Sequence, residues 1–429
     1  MNYLALIVGK LAGIFLRLVG RSGGSLPGKL ALRLAPHILK KFHMPATVIL
    51  VTGTNGKTSL ANMIARIMKE SGVDVRNNAK GDNIAFGIVS MLIRESSLRF
   101  KIRREALVIE IDELTMANRL HEMQVSHILI GNFFRDQLDR AGEMETLIRR
   151  IGNALQHYNG MLILNADDPN VYRLRADAVQ ATIRTYGAAH AEGGVVSGVK
   201  EGHFCPQCES NLAYDWVQYS HIGSYHCAGC TFQRPKPDCE AENVDAAAGT
   251  FTMEGHDYRV NLPALYHIYN CIGAYAVIRT LEIDPAIYAR VIADIHTAPG
   301  RMEMIDGCLL NLVKNPTGAN EVLNYIRRLP GEKVLLFLLN DGVADGRDVS
   351  WIWDMALEDI DGLSTVICTG RRAYDMALRF RYGGFQGTLT VIESMDEAVR
   401  QLKAADGRHF AIANYTGLFA LRKELRHGA

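Results

Sequence analysis

Along the first twenty residues, MNYLALIVGKLAGIFLRLVG, the positions Leu4, Ile7, Val8, Leu11, Ile14, Phe15 and Leu18 recur at helical spacing and predict an amphipathic helix. Lys10 and Arg17 interrupt the run and no small-residue cleavage site accompanies a charged leader, so neither a signal peptide nor a span fits. Such a helix either docks on its own domain or lies on a membrane surface. A connector from Gly20 to Pro27 leads to a second short helical stretch ending near Phe42. The pattern then changes to short continuous apolar runs: 46–51 (ATVILV), 106–111 (ALVIEI), 127–130 (HILI) and 161–164 (MLIL). Runs of this kind suit strands buried on both faces, and helical segments such as 142–157 lie between them. The alternation predicts an α/β fold with a doubly wound parallel sheet.

Near residue 190 the composition shifts to Gly, Ala and His, and from 203 to 239 Cys, Pro, Tyr and Trp become dense. This reads as an insertion, about 201–240, carrying its own metal. Regular structure is expected to resume near 250, with helices over 266–281 and 285–295, and APGRMEMIDG (298–307) has the turn chemistry of a linker. Alternation then restarts, with strands at 308–313, 333–339, 364–368 and 409–413 and helices near 317–328, 371–381 and 395–404. The expected domains are a helical segment over 1–44, a central domain over 45–298 and a smaller α/β domain over 299–429.

The 429 residues carry Lys+Arg 47 against Asp+Glu 46, and 48% are hydrophobic, so bulk charge supplies no argument for a nucleic-acid partner. Of eight cysteines, four form the pairs Cys205-Pro-Gln-Cys208 and Cys227-Ala-Gly-Cys230 with 18 residues between them. Four thiolates at this spacing predict a closed tetrahedral Zn²⁺ ribbon in a reducing compartment, structural because no exchangeable position remains. Cys239, Cys271, Cys308 and Cys368 read as small core hydrophobes.

The strongest local signal is Val51-Thr52-Gly53-Thr54-Asn55-Gly56-Lys57-Thr58-Ser59, between a buried strand and a helix. Backbone N–H groups of such a loop cradle phosphates, Lys57 reaches the β/γ-phosphates of ATP, and the Thr58 hydroxyl holds Mg²⁺. Val51 stands where the full pattern has Gly, making this a shortened form. Glu110, at the end of a candidate strand, faces the crevice where ligands bind and is a candidate second Mg²⁺ ligand. Asp112 and Glu113 are candidates to start the next helix. The polar segment from Gly131 to Arg140 (GNFFRDQLDR) is a candidate active-site wall.

Together these residues resemble the Mur ligase superfamily, which makes amide bonds in peptidoglycan precursors and folylpolyglutamate. The loop from Gly53 to Ser59 matches its GTNGKT[ST] signature, Glu110 its strand-end glutamate, and NFFRDQLDRAG its DHLDR segment. Leu265 to Asn270 (LYHIYN) resembles its HNxxN helix start, Pro299-Gly300-Arg301 its PGR linker, and Lys314-Asn315-Pro316 its AHNP. Gln137 departs from the family's metal-binding His, and Asn311 from its ribose-binding Asp. A zinc ribbon inside the ATPase domain is similar to one branch only, the synthetase subunits of lipid II isoglutaminyl synthase, whose C-terminal part also resembles Asn340–Asp354 and Asn414-Tyr415-Thr416.

The resemblance implies that Asn270 and Arg301 contact the nucleotide. It implies ATP-dependent phosphorylation of the α-carboxylate of D-glutamate in the lipid II stem peptide, with ammonia converting the acyl phosphate to D-isoglutamine at the inner face of the cell membrane. No cysteine here stands on a Gly-x-Cys-x-Gly turn, so a separate glutaminase of the GatD type is implied. An Asp of the C-terminal domain would complete the partner's Cys-His pair, and among Asp341, Asp345, Asp348 and Asp354 the choice falls on Asp348, which lies in the DVSW stretch opening the next helix, with Asp354 second. Asp348 also suits an N-cap, and Trp351 and Trp353 suit either core or partner contact. Two other readings stay open: a stand-alone Mur-type amino-acid ligase, active without a partner, and a zinc-ribbon P-loop protein that grips nucleic acid, which a steep salt dependence of binding would reveal.

Overall fold

The computed structural model describes residues 1–20, 24–79, 82–134, 144–191, 202–261, 265–295, 300–342, 345–358 and 360–427. Gln137 with the rest of 135–143, and Pro299, lie outside the described residues. The chain forms two compact units, one up to Ile295 and one beyond it.

In the first unit, helices α1 (Asn2–Leu18) and α2 (Leu26–Leu34) precede β1 (Thr47–Thr52), α3 (Lys57–Glu70), β2 (Val75–Asn77), α4 (Ala85–Glu95), β3 (Ala106–Glu110), α5 (Glu113–Arg119) and β4 (His127–Ile130). There follow α6 (Met144–Leu155), β5 (Met161–Asn165), β6 (Thr182–Ala188), the hairpin β7 (Leu212–Tyr219) and β8 (Ile222–Cys227), then β9 (Cys239–Asp245), β10 (Thr250–Met253), β11 (His256–Arg259), α7 (Leu265–Thr280) and α8 (Pro285–Ala293). The sheet order is β11-β10-β9-β6-β5-β4-β1-β3-β2, parallel from β2 to β9 and antiparallel over its last three strands. Alternate residues serve opposite faces. Val48, Leu50, Leu107 and Ile109 pack under α1, α2 and α4, whereas Ile49, Val51, Val108 and Leu129 pack under α3 and α7. A strand with helices on both sides must be apolar at every position, which is why these runs read as continuous.

One open reading is narrowed and two expectations change. The stripe on α1 does not face the protein: the helix docks through Ala5, Leu6 and Gly9, and Leu4, Leu11, Phe15 and Leu18 point outward. Small residues let α1 approach closely, and a Cβ on Gly9 would come within 2.6 Å of the Ile93 side chain. Sheet structure also runs past the composition shift near 190, since β6 and β9 continue the main sheet on either side of the cysteine hairpin. Finally, 298–307 is not linker throughout, because β12 (Glu303–Ile305) pairs with β13 (Cys308–Leu312) across Asp306-Gly307, both with positive φ as a two-residue hairpin turn requires.

The second unit continues with α9 (Pro316–Arg328), β14 (Lys333–Leu338), a 3₁₀ turn over Ser350–Asp354, β15 (Leu363–Thr369), α10 (Ala373–Tyr382), β16 (Thr388–Val391), α11 (Met395–Ala404), β17 (Arg408–Ala413) and α12 (Tyr415–His427). Its sheet order is β12-β13-β17-β14-β15-β16, parallel except for β12. Where a helix was expected after Asp348 there is only this five-residue 3₁₀ turn.

Candidate active site

In the first sheet β1 has β3 on one side and β4 on the other, so the chain reverses its direction of winding there and opens a crevice at the carboxyl ends of the strands. The loop 53–56 fills that crevice. Gly53 has φ 129°, and a Cβ there would stand 2.9 Å from the Asn132 backbone nitrogen; Gly56 has φ 83°, caps α3, and a Cβ there would stand 2.5 Å from Asn270 Oδ1. Both positions therefore require glycine. The chain after β4 laces the loop in place. Thr54 N donates to Asn132 O (2.8 Å), Asn55 N to Asn132 Oδ1 (2.9 Å), and Phe134 N to Thr54 Oγ1 (3.0 Å). Thr58 and Ser59 stand half-buried on the first turn of α3, where the helix dipole favours anions.

Lys57 is buried and folds back over its own loop, donating to Gly53 O and Thr54 O (3.3 Å) and pairing with Glu113 Oε1 at 3.0 Å. Asp112 caps α5 by accepting from Thr115 N, as a helix-starting residue should, but Glu113 also holds the lysine. Nothing in its sequence context marked that second role. Glu110 is 2% exposed and lies level with Val51 in the sheet. Asn78 brackets its backbone, and Asn83 Nδ2 donates to Oε1 at 3.0 Å. Glu110 Oε2 has no hydrogen-bond partner among the described residues; neither has Thr52 Oγ1, nor Asn270 Nδ2, which packs against Gly56.

A buried polar atom without a partner costs about 1–3 kcal/mol, and three lie around this loop. They comprise a carboxylate oxygen, a hydroxyl and an amide donor, the groups that a divalent cation and phosphate oxygens would complete. On that ground the donor set fits Mg²⁺ with ATP, with Thr58 and Glu110 as the residues to hold the ion.

The four Sγ atoms of Cys205, Cys208, Cys227 and Cys230 lie within 4.8 Å of one another, with Cys205–Cys230 at 3.5 Å and Cys208–Cys227 at 3.4 Å. Thiolates around a tetrahedral Zn²⁺ stand about 3.8 Å apart, so the set fits the ion. Hydrogen bonds from Ser210 hold Cys208 down to about 6, whereas burial raises Cys205 and, together with the facing thiols, Cys230. Burial likewise pushes Cys308 and Cys368 up to about 12, as expected of core residues.

The cysteine hairpin is tied to the wall of the phosphate loop. Asp167 and Asp168 follow β5 and are fully buried. Asp167 accepts from Arg234 Nε (2.6 Å) and Tyr269 Oη (2.6 Å), and its carbonyl accepts from Gly223 N. Asp168 accepts from Phe133 N (2.9 Å) and lies 3.2 Å from His221 Nε2. Only the acidic pair after a strand could have signalled these residues.

In the second unit, Arg301 is half-buried beside Gly300. Asn311 is tied into the hairpin, accepting from Met302 N at 2.8 Å and donating to Leu312 O. At the carboxyl edge of this sheet Asp345 accepts from Thr416 N (2.7 Å), Thr416 Oγ1 and Gly342 N, and is 5% exposed. Asp341 faces Arg371 and Arg372. Asp348 is half-buried and accepts from Ser350 N at 2.8 Å, although Val349 holds the cap position of the turn that Asp354 closes. Trp351 packs on the core, whereas Trp353 is 48% exposed, with its ring edge-on to the exposed Tyr382.

A glycine phosphate loop at the switch point of a parallel sheet, with a strand-end carboxylate beside it, defines a nucleotide-dependent enzyme domain of the P-loop class. The family model for the Mur ligase middle domain matches residues 51–278, and that for the MurT ligase C-terminal domain matches 312–418. The MurT subunit of the glutamine-hydrolysing lipid II isoglutaminyl synthase of Staphylococcus aureus (strain COL) is 34% identical over 99% of this chain and 98% of its own length. Its counterpart from Streptococcus pneumoniae is 30% identical over 98% and 96%. In fold the chain is similar to a pseudomurein peptide ligase type C from Methanothermus fervidus (TM-score 0.71, 21% identity, 91% of this chain and 80% of that one) and to MurF from Acinetobacter baumannii (TM-score 0.64, 16% identity, 93% and 80%). The chain belongs to the Mur ligase family, in its MurT branch.

Proposed function

We propose that this chain is the ATP-using subunit of a lipid II isoglutaminyl synthase. The observation that carries the reading is the glycine loop bearing Lys57, set beside the amide of Asn270 and the carboxylate oxygen of Glu110 that has no partner among the described residues. A carboxylate cannot form an amide without a leaving group. The γ-phosphoryl group of ATP passes to a carboxylate oxygen of D-glutamate, leaving ADP; the lone pair of ammonia then attacks the acyl carbon, the carbon–oxygen bond to phosphate breaks, and a proton is released.

Lys57 and the loop amides stabilise charge on the transferring phosphoryl group, with Lys57 exchanging Glu113 for phosphate. Thr58 and Glu110 would hold Mg²⁺, which would supply charge neutralisation for the phosphates. Asn270 and Arg301 serve the nucleotide, and Cys205, Cys208, Cys227 and Cys230 hold a structural Zn²⁺. Ammonia comes from a GatD-type glutaminase subunit, received on the second unit. There Asp348 orients the partner's catalytic His, with Asp354 the other candidate, and the exposed Trp353 and Tyr382 rings beside the turn suit a protein contact. The lipid-linked substrate places the reaction at the inner face of the cell membrane.

The test is product mass after incubation with ATP, Mg²⁺ and lipid II in three settings: the chain alone, with ammonium, and with the glutaminase plus glutamine. Replacement of a hydroxyl by an amino group with ammonium, and with glutamine only in the presence of the partner, is the expected result. Addition of a whole amino-acid residue would make the protein a stand-alone ligase.

A further inference from the structure

We propose that the outward face of α1 is a membrane-docking surface that seats this unit on an anionic phospholipid bilayer. The inference rests on, and deepens, the reading of a lipid-linked substrate by naming the surface that meets the lipid. Leu4, Ile7, Leu11, Ile14, Phe15 and Leu18 form one continuous stripe over the helix, and all six are between 45% and 81% exposed. Isolated apolar residues on a surface are ordinary, but a helix-long row of them marks an interaction face.

The stripe is presented rigidly. Ala5, Leu6 and Gly9 bury the opposite side of α1, and Lys10 reaches across to donate to Ile93 O and Ser96 O (both 2.6 Å), capping the end of α4. The helix therefore has a core-facing side already satisfied and cannot hide its apolar row by rolling inward. Tyr3 extends the row by stacking edge-on against Phe100, next to the exposed Leu98.

Charge selects the occupant. No Asp or Glu occurs before Glu70, while Arg17, Lys29, Arg33, Lys40 and Lys41 are all exposed. A groove of about 150 Å³ runs beside the stripe, and Gly13, Ile14, Arg17, Gly24, Pro27 and Arg94 are among the residues that line it. An apolar row bordered mainly by cations, with Asp82 the carboxylate beside Gly24, is complementary to acyl chains under phosphate headgroups, and it is the pattern of a helix lying in the interface plane. No described helix is long and apolar enough to cross a membrane, so the contact is peripheral.

The experiment is flotation of the full chain, bound to its glutaminase, with vesicles of phosphatidylcholine containing 30% phosphatidylglycerol (about one anionic lipid in three) and with phosphatidylcholine alone. The complex should float with the anionic vesicles. The double variant Leu11→Gln/Phe15→Gln should bind about tenfold more weakly, and Arg17→Glu/Lys29→Glu should lose the preference for anionic lipid, both with unchanged melting. Each should amidate a water-soluble short-chain lipid II analogue at the wild-type rate with ammonium. Wild-type complex that stays with the solvent, or variants that float as well as wild type, would overturn the docking surface. So would a stripe variant that instead dissolves a dimer seen by light scattering, since the face would then belong to a second copy. Failure of the soluble amidation assay would strike the enzymatic reading alone and leave the flotation result to be judged separately.

Discussion

At the carboxyl edge of the first sheet, Glu110 Oε2, Thr52 Oγ1 and Asn270 Nδ2 are buried without partners among the described residues. At the same edge of the second sheet, Asn340, Asp345, Asn414 and Thr416 satisfy one another: Asn414 Nδ2 donates to Asn340 O at 2.6 Å, Asn340 N to Asn414 Oδ1 at 3.1 Å, and Thr416 caps Asp345. Thr369 Oγ1 and Arg372 Nε are exceptions there among the described residues. Both edges are strand-end loops of parallel sheets, and in both the loops carry Asn, Asp and Thr. The first leaves its polar groups to be completed by something else. The second uses them to brace its loops. An open strand-end edge and a braced one thus differ less in residue type than in whether the polar groups already have partners among the described residues.

The largest expected effect tests the first edge. Lys57→Ala should lower amidation with ammonium by about 10²–10³-fold, because a charge aimed at the transferring phosphoryl group is removed, while circular dichroism and melting show a retained fold. Glu110→Gln should cost a comparable factor. Its melting temperature should stay close to that of wild type, since glutamine keeps the acceptor for Asn83 Nδ2 and exchanges Oε2, which has no partner among the described residues, for a neutral amide nitrogen. A Glu110→Gln chain that melts markedly lower would mean that the carboxylate is structural, and the contrast between the two edges would fail.

The second edge separates by ammonia source. Asp348→Asn should reduce glutamine-dependent amidation at least tenfold and leave ammonium-dependent amidation near wild type, because the role proposed for it is to orient the partner's imidazole and not to touch the phosphoryl group. Should Asp354→Asn show this split and Asp348→Asn not, the role moves six residues along the same turn. Asp345→Asn should instead lower stability by about 1–3 kcal/mol, read as a shift in denaturant midpoint, since an amide nitrogen in place of Oδ2 cannot accept from Gly342 N and Thr416 Oγ1.

Much of this was legible because the signals were local. A buried parallel strand must be apolar throughout, and a loop that approaches Asn132 and Asn270 within van der Waals limits must have glycine at Gly53 and Gly56. The cysteine spacing and the fold class follow from similarly short stretches. What the sequence concealed depended on distant partners. Helical spacing identified the stripe on α1 but not which way it faces, because the small residues that dock the helix, Ala5 and Gly9, carry little hydrophobic signal. Glu113 is chosen by its nearness to Lys57, 56 residues earlier, and Asp168 by Phe133 and His221. Asn311 differs from its family counterpart at a position where the side chain holds the backbone of Met302, and no pattern along β13 announces that contact.

The smallest effect concerns acid stability of the second unit. Glu303 accepts from Arg422 Nε at 2.8 Å and Nη2 at 2.8 Å and from Gly300 N at 2.6 Å, and the Arg422 guanidinium holds its carboxyl below the ordinary value of 4.5. A carboxyl lowered in the folded state releases its proton more readily there than in the unfolded chain. Its contribution is therefore fully present above the ordinary carboxylate range and is lost as pH falls through the lowered value. Melting followed from pH 7 down to pH 3 should show a wild-type decline that is shallower in Glu303→Gln, because the variant has no proton to take up at this site. Above pH 6 the variant should melt slightly lower, having given up the charge on the Arg422 pair. Parallel curves for the two proteins would mean that the bond to Gly300 N, which glutamine retains, carries the whole contribution, and that the arginine braces the hairpin by packing alone.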